Sequence, residues 1–567
     1  MFRSRIHTVV VAFAVAGCAT APVVRTGVPT STTASINAGD LRSRLYIFAD
    51  DSMLGRESGQ LGNVLGTNYV AREMQRMGLQ PGGENGTFFQ TVPIDIARID
   101  RTRRLALDGA VFDTGIDVLP FYNSNGGVNV PQGATIRSVD GARVVFGGEI
   151  GSASALPPAL AAGKVVVFTI PTAADGRREY RFYRTASLAR YSDAAGIAVV
   201  SLDLMPRAAL ARLLDAQGFI RSDATGAAPL VMYVAPGAAA RMLGVPSLAS
   251  AAVGQTGRTL SGGLGFTEAA ASYPSRNVIG ILPGRDATLR GQFVAIGAHN
   301  DHIGLERRPL DHDSVLANNM VVRRQGVQDT VRAPTPAEAA RILALRDSLT
   351  RAHGGVRRDS VNNGADDDGS GTVALLEIAE QFATAAERPR RSLLFVSHTG
   401  EEKGLWGSEW FTDHPTLPRD SIIAQLNMDM VGRGKATDIM GRGPNNVQLI
   451  GAARLSTQLG ALIDSVNAAR AEPMDIDRSF DANGHPLNRY CRSDHYMYAR
   501  YGIPIAYMSL GYHTDYHQVT DESQYIDYDH MARIAGFVHD VAAAVANRAQ
   551  RLVVDKPRPD PKATCRQ

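Results

Sequence analysis

The chain has 567 residues, 44% of them hydrophobic and 20% charged, which is material for one large core and a second domain. A formal net charge of +3, with no long basic run, gives a nucleic-acid partner no electrostatic footing and excludes that class. Three cysteines make no disulfide framework, although Cys491 and Cys565 could pair in an oxidising compartment, so stability has to come from the core.

The first eighteen residues, MFRSRIHTVVVAFAVAGC, place arginines before an apolar stretch at 8–17 and end on a cysteine. That stretch is too short to span a bilayer and stands where an export signal stands. Its end, VAGC, resembles the lipobox of bacterial lipoproteins, in which cleavage after residue 17 leaves Cys18 to carry lipid. Cleavage of an ordinary signal peptide nearby is the alternative. Either way the mature chain is exported, as an outer-membrane lipoprotein or to the periplasm or medium. No later apolar run reaches about eighteen residues, so no spanning helix is expected.

Residues 18–38, rich in Thr, Ser, Ala and Pro, suit a flexible tether. Apolar residues returning every three or four positions predict helices within 39–56 and 68–81, and GTFFQTVPI at 86–94 reads as a strand. From about 130 to 260 the texture changes. AAGKVVVFTI (161–170) and YSDAAGIAVVSLD (191–203) are short valine-rich strands behind small-residue turns, and RAALARLLDA (207–216) is an alanine-rich helix. This resembles the protease-associated domain inserted in several secreted peptidases and reads as a lid or docking module.

The strand-helix rhythm returns with GQFVAIGAHNDHIGL (291–305), where an apolar strand runs into Gly-Ala-His, and strand ends are where open α/β sheets keep their chemistry. NNGADDDGSGTVALLEIAEQF (362–382) sets three aspartates before a periodic helix. One Asp would serve as an N-cap, whereas three repel one another unless a cation is present. RSLLFVSHTGEEKGLWGSEWF (391–411) ends a buried strand on two adjacent glutamates, AQLNMDMVGRG (424–434) puts Asp429 among apolar neighbours, and GIPIAYMSLGYHTDYHQVTDE (502–522) carries His513 and His517 past another buried strand. Each alone has a structural explanation, since buried His and Asp commonly satisfy hydrogen bonds.

Together, in this order, the five motifs resemble those of the secreted co-catalytic di-zinc aminopeptidases, related to the bacterial leucyl aminopeptidases, a family that also contains glutamate carboxypeptidase, transferrin receptor and glutaminyl cyclase. In that family the ligands come from GAHxD, GADDxxSG, EExGLxGS, NxDM and a late YHxxxD, all present here. The resemblance implies a mixed β-sheet sandwiched by helices, an α/β fold, over 39–128 and 272–545. An insertion at about 306–361, a smaller β-rich domain at 129–271 and a tail at 546–567 complete the division. It implies two zinc ions per chain. His299 and Asp429 would be terminal ligands of one, Glu402 and His517 of the other, and Asp367 the bridge, in agreement with the N/O ligand chemistry of zinc. Asp301 would orient His299 from behind, and Asp368 would follow a strained, cis peptide.

The same resemblance gives Glu401 the role of general base for a hydroxide shared by the two ions, since a free carboxylate is a better base than a ligated one. Tyr516 would hydrogen-bond the developing oxyanion. His302, His398 and His513 are taken as hydrogen-bonding or pocket residues. The implied function is an exopeptidase acting on peptides, an aminopeptidase first. A carboxypeptidase of the glutamate carboxypeptidase type, a glutaminyl cyclase and a non-catalytic receptor-like protein are the alternatives. RAPTPAEAARILALRDSLTRAHGG (332–355) is an expected helix inside the insertion, which would reshape the cleft entrance. Oligomeric state and side-chain preference are not readable.

Overall fold

Apolar runs that need cover on both faces become the inner strands of a sheet, and here four of them, FVAIGAH, SLLFVSH, IIAQLNM and IAYMS, lie side by side. The computed structural model describes residues 32–121, 135–172, 178, 188–215, 217–220, 227–323, 332–433, 443–561 and 565–567. The export signal and Cys18 lie outside these residues.

The main sheet contains β1 (Gln80–Pro81), β2 (Phe89–Val92), β3 (Ser275–Leu282), β4 (Phe293–His299), β5 (Ser392–His398), β6 (Ile422–Met428), β7 (Asn446–Ile450), β8 (Asp475–Asp477) and β9 (Ile505–Ser509). Its order is β1-β3-β5-β4-β6-β9-β7-β8, with β2 also paired to β3. The central strands β5, β4, β6 and β9 are parallel, while β3 and β7 run antiparallel to their neighbours β5 and β9. His299 and His398 are register partners at the ends of β4 and β5, so the loops after all four central strands leave from one edge.

Helices Ala38–Phe48, Gly371–Thr384 and Tyr528–Asn547 supply Leu45, Leu376 and Val538 to one core against this sheet. Arg44, buried among the carboxylates of Glu73, Glu377 and Glu380, ties the first of these helices to Leu61–Arg76 and Gly371–Thr384. Helix Leu61–Arg76 begins seven residues before the periodic pattern at 68. Its first turns, LGNVLG, pack through small residues: a Cβ at Gly62 would lie 2.3 Å from the Met53 carbonyl, and one at Gly66 3.1 Å from the Arg56 side chain.

A second sheet runs Ala110–Val111, Leu105–Leu107, Thr256–Gly262, Arg143–Glu149, Val165–Thr169, Gly196–Val200, Leu230–Val234 and Val118–Pro120 in spatial order. The four strands from Arg143 to Val234 are parallel and apolar on both faces. Val165 and Val167 face one core, Val166 and Phe168 another. The strands at 105–107, 110–111 and 118–120, placed before residue 129 in the first domain by the sequence reading, hydrogen-bond into this second sheet. Pairing between strands over a hundred residues apart leaves no local mark.

The insertion forms an antiparallel pair, Leu305–Asp311 with Arg358–Val361, and two helices, His312–Val322 and Pro336–Ala352. The second helix starts on a capping box between Thr335 and Glu338, within the expected 332–355. Cys491 and Cys565 form a disulfide. No helix among the described residues is long and apolar enough to cross a membrane.

Candidate metal centre and active site

The ends of the central strands deliver the motif residues to one place. β4 ends on His299, the loop after β5 carries Glu401 and Glu402, Asp429 follows β6, and His513 and His517 follow β9. The helical turn Ala365–Ser370 brings Asp367 against them from the other side. His299 Nε2 lies 3.2 Å from Asp367 Oδ1 and 3.7 Å from Asp429 Oδ1. His517 Nε2 lies 3.1 Å from Asp367 Oδ2 and 2.9 Å from Glu402 Oε2. Each Asp367 oxygen therefore faces a different imidazole.

The scaffold behind these groups is built from backbone amides held by acids. Asp368 Oδ2 accepts from the His299 N–H at 2.9 Å, and its Oδ1 accepts from Gly371 and Met430. The Asp367–Asp368 peptide is cis. Asp521 accepts from the amides of Asp366 and Asp367, which fixes the turn that presents Asp367. Sequence reading gave Asp521 no role, although it is the last letter of YHxxxD. Arg56, fully buried, donates to the carbonyls of Asn300, Asn363 and Gly364 and so clamps the His299 loop to the aspartate turn.

Asp301 does its work differently from expectation. The His299 Nδ1 meets the backbone carbonyl of Asp301 at 3.1 Å, while the carboxylate stands 3.7 Å away and instead accepts the Glu401 N–H at 3.1 Å. One residue thus positions both His299 and the loop of Glu401.

Glu401 itself is 12% exposed, with Oε2 3.9 Å from His299 Nε2. Burial, with Asp429, Glu402 and Asp494 close by, raises its carboxyl well above the ordinary range against the opposing pull of His299. Its neighbour goes the other way: burial would raise Glu402, but the His517 imidazole pulls it down to about 2. Adjacent glutamates with opposite shifts have separate tasks. Tyr516 stacks on the His517 ring at 3.8 Å between centroids, and Tyr512 stands 4.7 Å beyond it, capped by the Arg492 guanidinium.

His398 and His513 have non-ligand surroundings. His398 meets the Tyr498 hydroxyl at 3.1 Å, and burial lowers it to about 3. His513 Nε2 faces Asp366 Oδ2 at 3.3 Å, and its Nδ1 accepts from the Asp515 N–H. His302 is different: it lies in the same group as Asp367, Glu402 and His517.

The donor set fits two dications. Two groups that share Asp367, namely His299–Asp367–Asp429 and His302–Asp367–Glu402–His517, have one donor atom per residue within 4.8 Å of one another. His299 Nε2, His517 Nε2 and Glu402 Oε1 are buried without a hydrogen-bond partner. Three carboxylates, those of Asp367, Glu402 and Asp429, converge with these imidazoles, the N/O donor chemistry that zinc accepts. A third group, His312–Asp359–Glu522, joins the insertion to the segment of His517, but the Arg357 guanidinium already stands against His312 there.

Residues 277–542 match the family model of peptidase family M28. The match covers just under half of the chain. The M28 stretch contains every candidate ligand and Glu401, whereas the Arg56 clamp comes from outside it. Leucine aminopeptidase 1 of Paracoccidioides brasiliensis (strain Pb03) is 30% identical over 214 residues, which cover 34% of this chain and 52% of that protein. Leucine aminopeptidase 1 of Aspergillus fumigatus is 27% identical over 214 residues, with shares of 34% and 52%. The chain spans about half the length of these curated relatives. Among solved structures, the aminopeptidase from Aneurinibacillus sp. strain AM-1 superposes with a TM-score of 0.48 at 14% identity, over 92% of this chain and 97% of that one. BSAP, a zinc aminopeptidase from Bacillus subtilis, gives 0.45 at 14% identity, over 93% and 100%.

Proposed function

We propose that the chain is a zinc-dependent aminopeptidase that removes N-terminal residues from peptides. The observation that carries this is Asp367 shared between two donor groups, with an unligated Glu401 beside them. His299 and Asp429 would hold one zinc ion, Glu402 and His517 the other, and Asp367 both. Zinc there supplies Lewis acidity and positive charge where a peptide carbonyl becomes negative.

Glu401 takes the proton of the attacking water and returns it to the leaving amine, a role suited to a carboxyl whose proton affinity burial has raised. Asp301, through the Glu401 amide, keeps that carboxylate aimed at the His299 side of the site. Tyr516, held flat against His517, lines the same space and is the candidate hydrogen-bond donor to the carbonyl oxygen. The names of the M28 relatives support release of an N-terminal rather than a C-terminal residue.

The test is a panel of amino-acid anilides beside N-blocked peptides with free C-termini, before and after chelation. Anilide hydrolysis that chelator abolishes and zinc restores is expected. Cleavage confined to the blocked peptides would replace the aminopeptidase reading with a carboxypeptidase one.

Export with a lipid on Cys18 is part of the same reading, and the Cys491–Cys565 disulfide supports an oxidising compartment. Mass spectrometry of the mature N-terminus distinguishes a lipidated Cys18 from a free terminus further on. The second sheet, which also takes in the strands between 105 and 120, is proposed as the inserted protease-associated domain, supported by its parallel valine-rich strands.

A further inference from the structure

The two donor groups are unequal, and His302 makes them so. It is fully buried, and neither ring nitrogen has a hydrogen-bond partner. Its Nδ1 lies 2.8 Å from Glu402 Oε1, an oxygen that is itself unpartnered, and 3.9 Å from Asp367 Oδ2. Glu402 therefore turns one oxygen to each of two imidazoles, with Oε2 toward His517 at 2.9 Å. The His302 and His517 rings approach edge to face, 5.5 Å between centroids. In tetrahedral zinc sites with bonds of about 2.0–2.2 Å, ligand atoms stand roughly 3.3–3.6 Å apart, and the separations in this group bracket that spacing.

The ring has little freedom to stand elsewhere. Gly364 packs directly on it: a Cβ there would come within 2.4 Å of His302 Cγ and 2.6 Å of Cδ2. The Gly364 carbonyl is held by Arg56 at 2.9 Å, and the His302 N–H donates to the Arg56 carbonyl at 3.4 Å. The clamp that joins the two loops thus also seats this imidazole against Glu402. A simple His–Glu hydrogen bond would account for the 2.8 Å contact, but not for a second imidazole, His517, converging on the same carboxylate and on Asp367.

We propose that His302 is a fourth protein ligand of the ion held by Asp367, Glu402 and His517. That ion would then have four protein donors and no vacant tetrahedral position, whereas the ion of His299, Asp367 and Asp429, with three, would keep one. This rests on the zinc reading of the preceding subsection. Closed four-residue sites hold zinc structurally, whereas a three-residue site leaves room for chemistry. Glu401 fits the division, since its carboxylate approaches His299, in the three-donor group.

The experiment uses the full-length purified protein and zinc alone. Stepwise loading of metal-free protein should fill the closed position first. Zinc-edge X-ray absorption of the sample with one equivalent should count two imidazoles per zinc, falling to one in His302→Gln, with affinity for that first ion weakened about tenfold or more. A single imidazole per zinc in the wild type, or the same count in His302→Gln, overturns the proposal. Should His302→Gln fail to fold, the wild-type count decides by itself. Wild-type protein that binds two zinc ions with one imidazole each would reject His302 alone, whereas failure to bind two ions would reject the zinc reading beneath it.

Discussion

Glu401 and Glu402 are neighbours in the chain and belong to different chemistry. Glu402 is pulled acidic by His517, and Glu401 is held proton-hungry by burial among other carboxylates. Glu401→Gln should keep both zinc ions and the fold while turnover falls by roughly 10² to 10⁴, the range of general acid–base catalysis. Glu402→Gln should instead lose or weaken one ion, with activity partly recovered in excess zinc. Metal content and turnover measured on the same preparations decide it, and zinc loss in Glu401→Gln with retention in Glu402→Gln would reverse the roles. The residues that meet at the strand ends were legible because their motifs are contiguous. His302 and Asp521 were not, because nothing in HNDH or HQVTDE shows which side chain turns inward. Only the meeting of loops hundreds of residues apart reveals it.

At the scale of elements, the insertion is part of the site wall. Asn319, on helix His312–Val322, donates to Asp515 Oδ1 at 3.0 Å, and Asp515 also receives the Thr520 hydroxyl and the Arg433 guanidinium. His312 meets Glu522 at 2.8 Å. The segment that carries His517 is therefore braced from the insertion at both of its ends. Asn319→Ala removes one buried hydrogen bond to a charged acceptor, worth about 1.5–3 kcal/mol. Amide hydrogen exchange across 513–522 should quicken in this variant while the strands of the main sheet stay protected. Unchanged exchange there would mean that the insertion only covers the loop. The helix inside the insertion was readable from TPAE and its periodicity. Its attachment was not, since Asn319 lies in a helix with no amphipathic stripe.

For the whole molecule, the two sheets have separate cores, Leu376 and Val538 belonging to one, Val165 and Phe168 to others around the second sheet. A ligand stabilises what it binds, so chelation should lower the unfolding temperature of the main-sheet transition and leave that of the second sheet in place. Calorimetry with and without chelator reads this directly, and one transition that moves as a unit would show the two cores to be coupled. Acid acts on a different group. His495 is fully buried against the Tyr507 ring, 4.5 Å between centroids, and burial lowers it from 6.5 to about 3. With its folded value depressed, the neutral ring contributes stability above pH 6.5 that is lost as pH falls, about 2 kcal/mol by pH 5. In chelated protein, His495→Phe should lose less of its unfolding temperature between pH 7.5 and pH 5 than the wild type. Equal losses would assign the acid sensitivity elsewhere.

The Arg56 clamp has a consequence in time. Its bond to Gly364 joins residues 308 apart in the chain. At synthesis rates of roughly 5–20 residues per second, Arg56 emerges about 15–60 s before its partner exists. During that interval the neighbouring helix, with Leu41, Leu45 and Phe48 destined for the core, has no sheet to cover. The helix is made long before most of the strands and the Tyr528–Asn547 helix with which it shares a core, so the nascent chain carries its apolar face uncovered over that interval and beyond.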